Sequence, residues 1–167
     1  AVWFFPSVGI PIGLLVGLSY IGMCYLGILP TLASILAFSI GLIVTGAMHE
    51  DGLADCADGF GGGQSKNQKL EIMRDSRIGS FGVLALFFIV SARIVSLSNL
   101  PPNQEVFFAI IALAMISRLV MVFYLTFLLP ARDEGLGRDA GKPEVSALLV
   151  SVITCIPIIF ICGSYMI

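Results

Sequence analysis

The chain has 167 residues, 57% of them hydrophobic and 12% charged, with a net charge of −2 and a mean hydropathy of +1.00. A soluble domain carries about 25% charged and about 45–50% apolar residues, so a disordered tail, a basic nucleic-acid-binding domain and an ordinary soluble enzyme are excluded. Four cysteines without a C-x-x-C pair exclude a disulfide framework as well. What remains is an integral membrane protein, with the lipid bilayer rather than nucleic acid as its surroundings.

A membrane-spanning helix needs about 20 predominantly apolar residues. Five stretches meet or approach that length: 4–26, 31–48, 80–97, 106–129 and 145–167. None alternates with period two, which argues against a transmembrane barrel. The short connections 27–30 and 98–105 contain Pro, Asn and Ser and suit turns between antiparallel helices. The expectation is an all-α, polytopic helix bundle forming a single membrane domain. Its first stretch carries Pro6, Gly9, Pro11, Gly13 and Gly17, small or kinking residues that let helix backbones approach closely. That stretch has no basic lead-in and no small-residue cleavage site, so it does not read as a signal peptide.

The 20 charges are unevenly placed. Ten lie in residues 49–78, seven in 131–144, and only Arg93, Glu105 and Arg118 lie elsewhere. Two predicted spans separate the polar loops 49–79 and 130–144, so both emerge on one face. These loops hold seven Lys and Arg residues and the opposite loops hold none, which predicts a cytoplasmic location for both. Arg93 lies near the end of its span and is expected to snorkel to the interface. Arg118 falls mid-span, where a charge serves either a buried anionic ligand or a structural ion pair.

The first polar stretch begins HEDGLADCADGFGGG. Asp51, Asp55 and Asp58, spaced by four and then three, fall within about 60° of one another on a helix. Three such carboxylates resist ionising together unless a cation joins them. The alternatives are a solvated acidic face and a divalent metal site; the third aspartate favours the metal, with Mg²⁺ suited to carboxylates, phosphates and water. His49 precedes them as a candidate catalytic residue or a structural hydrogen bonder. Gly59, Gly61, Gly62 and Gly63 follow, and Gly61 and Gly62 suit either backbone contact with a phosphate or a sharp reversal. A Walker A loop is excluded by Gln64 and Asn67.

Ser65 and Gln68 then form a capping-box pattern. Leu70 and Met73 recur at helical spacing, and Gly79 stands where that helix would end. A helix here would carry Arg74, Asp75 and Arg77 beside the aspartates, guanidinium groups suited to a diphosphate and a carboxylate suited to a metal or a proton. The four cysteines read as packing residues.

The stretch H-x-D-G-L-A-D-x-x-D-G, His49 to Gly59, followed by L-E-I-M-R-D-S-R-I-G, Leu70 to Gly79, resembles the cobalamin synthase family, the adenosylcobinamide-GDP ribazoletransferases. Arg93, the pair Ser117-Arg118, the loop Arg132…Gly135-Leu136-Gly137 and the opening Phe5-Pro6…Gly9…Gly13 also match, so the resemblance covers nearly the whole chain. It implies a Mg²⁺-dependent enzyme of a bacterial or archaeal cytoplasmic membrane. In the implied reaction a ribose hydroxyl of α-ribazole, or of its 5′-phosphate, attacks the cobinamide-linked phosphorus of adenosylcobinamide-GDP and expels GMP. Its implied roles are metal binding for Asp51, Asp55 and Asp58, ligation or general base catalysis for Asp75, phosphate binding for Arg74 and Arg77, and orientation of a buried anion by Arg118. The resemblance departs at Glu50, where members of that family usually have a hydrophobic or neutral residue. The family also continues through further spans and a Gly-Gly-x-Thr-Gly-Asp motif, so the chain is expected to be truncated at both ends.

Three other classes compete. A CDP-alcohol phosphotransferase expects D-G-x-x-A-R, but Asp55 follows Ala54 here; an aspartate-rich prenyltransferase lacks the R-D-S-R run. A cation transporter expects acids near mid-membrane, whereas all 11 lie outside the apolar stretches or at their margins.

Overall fold

The computed structural model describes residues 2–132 and 135–165, and among them all regular structure is helical. A short 3-10 turn, Val2–Phe4, leads into α1 (Phe5–Tyr25). There follow α2 (Pro30–Thr45), α3 (Met48–Gly62), α4 (Lys66–Ile72), α5 (Ser80–Ser98), α6 (Gln104–Phe127), the single turn α7 (Leu136–Asp139) and α8 (Val145–Tyr165). Four helices are long and apolar enough to cross a membrane, or five if α2 and α3, bent by 89°, count as one broken span. The all-α membrane fold is therefore as expected. The second span differs: α2 stops at Thr45 rather than running to residue 48, because Gly46 adopts the left-handed conformation at φ 62°. The expected loop 49–79 is also mostly helical.

The chain divides into two compact units, Ala1–Gly27 with Pro101–Ile167, and Ile28–Leu100. In the first, α1 packs on α6 through the glycines at four-residue spacing. A Cβ on Gly9 would lie 2.6 Å from the Ala114 carbonyl carbon, one on Gly13 2.6 Å from the Ile111 Cα, and one on Gly17 2.8 Å from the Phe107 ring. Ascending positions on α1 meet descending ones on α6, so the helices run antiparallel at a separation that only glycine permits. Ile111, Met115 and Cys155 form the buried core, with Phe107, Phe108, Leu119 and Ile158 packed around it. The Ser151 hydroxyl of α8 donates to the Trp3 carbonyl at 3.1 Å, fastening α8 to the amino-terminal turn. Gly9→Ala is expected to destabilise this unit by about 1–3 kcal/mol through overpacking. Unfolding in a mixed-micelle titration checks it against Gly22→Ala, where a Cβ meets nothing within 4 Å and no loss is expected.

In the second unit, α2 presents buried Ala33, Ser34 and Ala37, and it packs on α5, as does α3. The corner between α2 and α3 is closed by backbone hydrogen bonds from Ala47 N to Leu42 O at 2.9 Å and from Gly46 N to Ile43 O at 3.3 Å. That is a Schellman ending with Gly46 in the αL position. Ala47 is left-handed too, at φ 54°, and its carbonyl accepts from Asp51 N, so a second helix starts at once in a new direction.

Candidate active site

The aspartate motif lies on α3, as its spacing predicted, but its three carboxylates have different surroundings. Ala54 and Asp58 are buried on the side facing α5, where a Cβ on Gly82 would contact the Asp58 carboxylate and the Ala54 carbonyl. The Asp58 carboxylate accepts from Gly79 N at 2.7 Å and Gly82 N at 2.9 Å. These are the amino-cap and first-turn amides of α5, donors that no intrahelical carbonyl can satisfy. Gly79 and Gly82 lack the Cβ atoms that would strike the carboxylate. Asp58 is thus the amino-terminal cap of α5, supplied from another helix.

Asp51 and Asp55 instead line a pocket of about 460 Å³ together with Glu50, Arg74, Asp75 and Arg77. Asp51 and Asp55 lie one turn apart and line the pocket together with Ala54, whereas Asp58, further along α3, does not. Among the described residues no three His, Cys, Asp or Glu side chains stand close enough to share one ion. Asp51 and Asp55 nevertheless fit Mg²⁺, which typically takes one or two carboxylates and completes its shell with phosphate oxygens and water. The pocket's guanidinium groups suit the phosphate.

The far wall is a loop rather than the expected helix. The capping box is formed: Ser65 Oγ accepts from Gln68 N at 3.3 Å, and Gln68 Oε1 accepts from Ser65 N at 3.3 Å. However, α4 ends at Ile72. Asp75 diverts the chain, because its Oδ1 accepts from Arg77 N at 3.0 Å, a side-chain turn that competes with helix propagation. Arg77 closes back on the same carboxylate, with Nη2 2.6 Å from Oδ2 and Nε 3.0 Å from Oδ1. The Arg77 side-chain and backbone hydrogen bonds hold the Asp75 carboxyl down at about 2. Asp75 is therefore an ionised group and a weak proton acceptor at neutral pH.

The glycine run does not form a loop. Gly61 and Gly62 belong to the last turn of α3, and the missing side chains admit neighbours. A Cβ on Gly61 would lie 2.5 Å from the Phe81 ring, and one on Gly59 2.6 Å from Met73 Cε. Neither Gly61 nor Gly62 lines the pocket, and His49, exposed on the first turn of α3, does not line it either. Arg118 belongs to the first unit, where its Nη1 donates to the Ala114 carbonyl at 2.8 Å and to Ser117 Oγ at 3.1 Å. Of the second polar loop, Asp133 and Glu134 lie outside the described residues.

Sequence reasoning missed Arg93 as a partner. Rather than extending to the interface alone, its Nη1 lies 2.8 Å from Glu50 Oε1, and its guanidinium stacks over the Phe38 ring at 5.4 Å from the centroid. The available signal was Glu50 itself, an unusual acid at a membrane edge.

A sequence profile of the cobalamin-5-phosphate synthase family matches residues 1–167. Proteins named adenosylcobinamide-GDP ribazoletransferase are similar to the chain. That of Bradyrhizobium diazoefficiens is 42% identical over 90% of the chain and 58% of its own length. That of Azorhizobium caulinodans is 45% identical over 89% and 57%, and that of Mesorhizobium japonicum 38% over 96% and 62%. The chain thus spans less than two thirds of these relatives. No solved structure matches it. A match along its whole length, with the aspartate and R-D-S-R segments meeting at one pocket, means that the chain belongs to the cobalamin-5-phosphate synthase family.

Proposed function

We propose that the full-length protein joins adenosylcobinamide-GDP to α-ribazole or its 5′-phosphate, releasing GMP, and that the pocket between α3 and residues 73–78 carries the reaction. The supporting observation is the meeting of Asp51 and Asp55 with Arg74 and Arg77 across one cleft. Both signs of charge are what a metal-bound diphosphate requires. The ribose hydroxyl oxygen forms a bond to the cobinamide-linked phosphorus and gives up its proton to solvent, while the bond from that phosphorus to the bridging oxygen breaks and this oxygen leaves with GMP. The step needs alignment and charge neutralisation more than a covalent nucleophile.

Asp51 and Asp55 would hold Mg²⁺, whose charge would offset that of the diphosphate when bound. Arg74 and Arg77 would take the remaining phosphate oxygens. Asp75 would keep the Arg77 guanidinium oriented, its low pKa fitting an anion better than a base. The Lys and Arg bias of the polar loops supports a cytoplasmic position for this pocket. Membranes carrying the full-length protein, given adenosylcobinamide-GDP, α-ribazole and Mg²⁺, are expected to release GMP only when all three are present. Absence of GMP under those conditions overturns the reading.

A further inference from the structure

The turn between α2 and α3 consists of Gly46 and Ala47, both left-handed, and it bends the chain by 89°. A third helix contacts both arms of the corner. From α5, Arg93 holds its guanidinium carbon 5.4 Å from the centre of the Phe38 ring of α2 and directs Nη1 to Glu50 in the first turn of α3. The Glu50 side chain is only 14% exposed, and its Oε2 is buried without a hydrogen bond from any described residue. Glu50 also lines the pocket and directly precedes Asp51.

We propose that Phe38, Glu50 and Arg93 form a pin that fixes the α2–α3 corner and thereby the direction in which Asp51 and Asp55 present their carboxylates. Glu50 and Arg93 are positioning residues. At the other end of the segment, Asp58 is fastened to the start of α5. The pocket aspartates therefore lie on a stretch of α3 held at both ends by α5. Only arginine suits this position: its planar guanidinium stacks on a ring and donates sideways at once, which a lysine ammonium cannot reproduce.

The effect on the aspartates rests on the cation–diphosphate reading, so the test has two independent arms, both on full-length protein. For the corner, spin labels at Leu36→Cys on α2 and at the native, exposed Cys56 on α3, with other cysteines replaced, report the interhelical distance. A narrow distribution is expected in the parent, broadened at least about twofold by Arg93→Met and by Glu50→Gln. The exchanged pair Glu50→Arg with Arg93→Glu restores the ion pair but not the contact with Phe38, and is expected to narrow it only in part. Phe38→Leu keeps the apolar volume and guards against a misfolded charge variant; it is expected to broaden the distribution as well. Unchanged distributions overturn the proposal.

For the pocket, Mn²⁺ with GMP is titrated by electron paramagnetic resonance. About tenfold weaker binding is expected in Arg93→Met and Glu50→Gln, with the double variant no worse than the weaker single one. Broadened distances with parental Mn²⁺ affinity overturn the positioning role. An Asp55→Asn variant that binds Mn²⁺ normally defeats the cation reading instead, and the distance arm then decides the corner alone.

Discussion

Asp55→Asn in the full-length protein is expected to lower GMP release by about 10²–10³-fold while leaving the fold intact. The magnitude is that of removing one group from a preorganised electrostatic site in phosphoryl or acyl transfer. Asp55 lines the pocket, and an amide of the same shape replaces the carboxylate without opening a cavity. A rate assay paired with thermal unfolding in detergent separates the two effects. Retention of more than about a tenth of the parental rate would remove Asp55 from the metal assignment.

The counterpart is Asp58→Ala, for which stability is the first quantity to fall. The substitution leaves Gly79 N and Gly82 N without their acceptor. Hydrogen bonds to a charged group contribute about 1.5–3 kcal/mol each, and the favourable interaction of a carboxylate with a helix amino terminus is lost as well. A loss of about 3 kcal/mol is expected, with Asp58→Asn intermediate because one carbonyl acceptor survives. Activity should fall with the folded fraction. An Asp58→Ala protein that is fully stable yet inactive would return Asp58 to the metal site and contradict the cap. The two aspartates, three residues apart, are thereby distinguished by what is lost first.

Much of this arrangement was legible in the sequence. The greasy stretches gave the membrane helices because length and apolarity alone decide that a segment crosses a bilayer. Ser65 and Gln68 announced the start of α4 because a capping box is a local interaction complete within four residues. The aspartate spacing correctly implied a helix, but periodicity reports only the angle at which a residue leaves its helix and not what stands opposite. Asp58 was therefore grouped with Asp51 and Asp55, although α5 approaches on its side. The glycine run misled for a related reason. Glycine reads as a break, yet here the rings and chains of Phe81, Met73 and Lys69 fill the space a Cβ would take, and tertiary packing keeps α3 helical to Gly62. The pin escaped notice because its members are separated by 12 and 43 positions and meet only through the corner.

The cap on α5 also bears on the order in which the chain is assembled. A helix entering hydrocarbon must bring its first amides already satisfied, since no water follows them in. Here the acceptor, Asp58, precedes the donors, Gly79 and Gly82, by 21 and 24 residues. At about 5–20 residues per second of synthesis, the carboxylate is available roughly 1–5 s before the amides it will receive. The acceptor for the start of α5 therefore always precedes its donors out of the ribosome, and α5 can be capped as it forms.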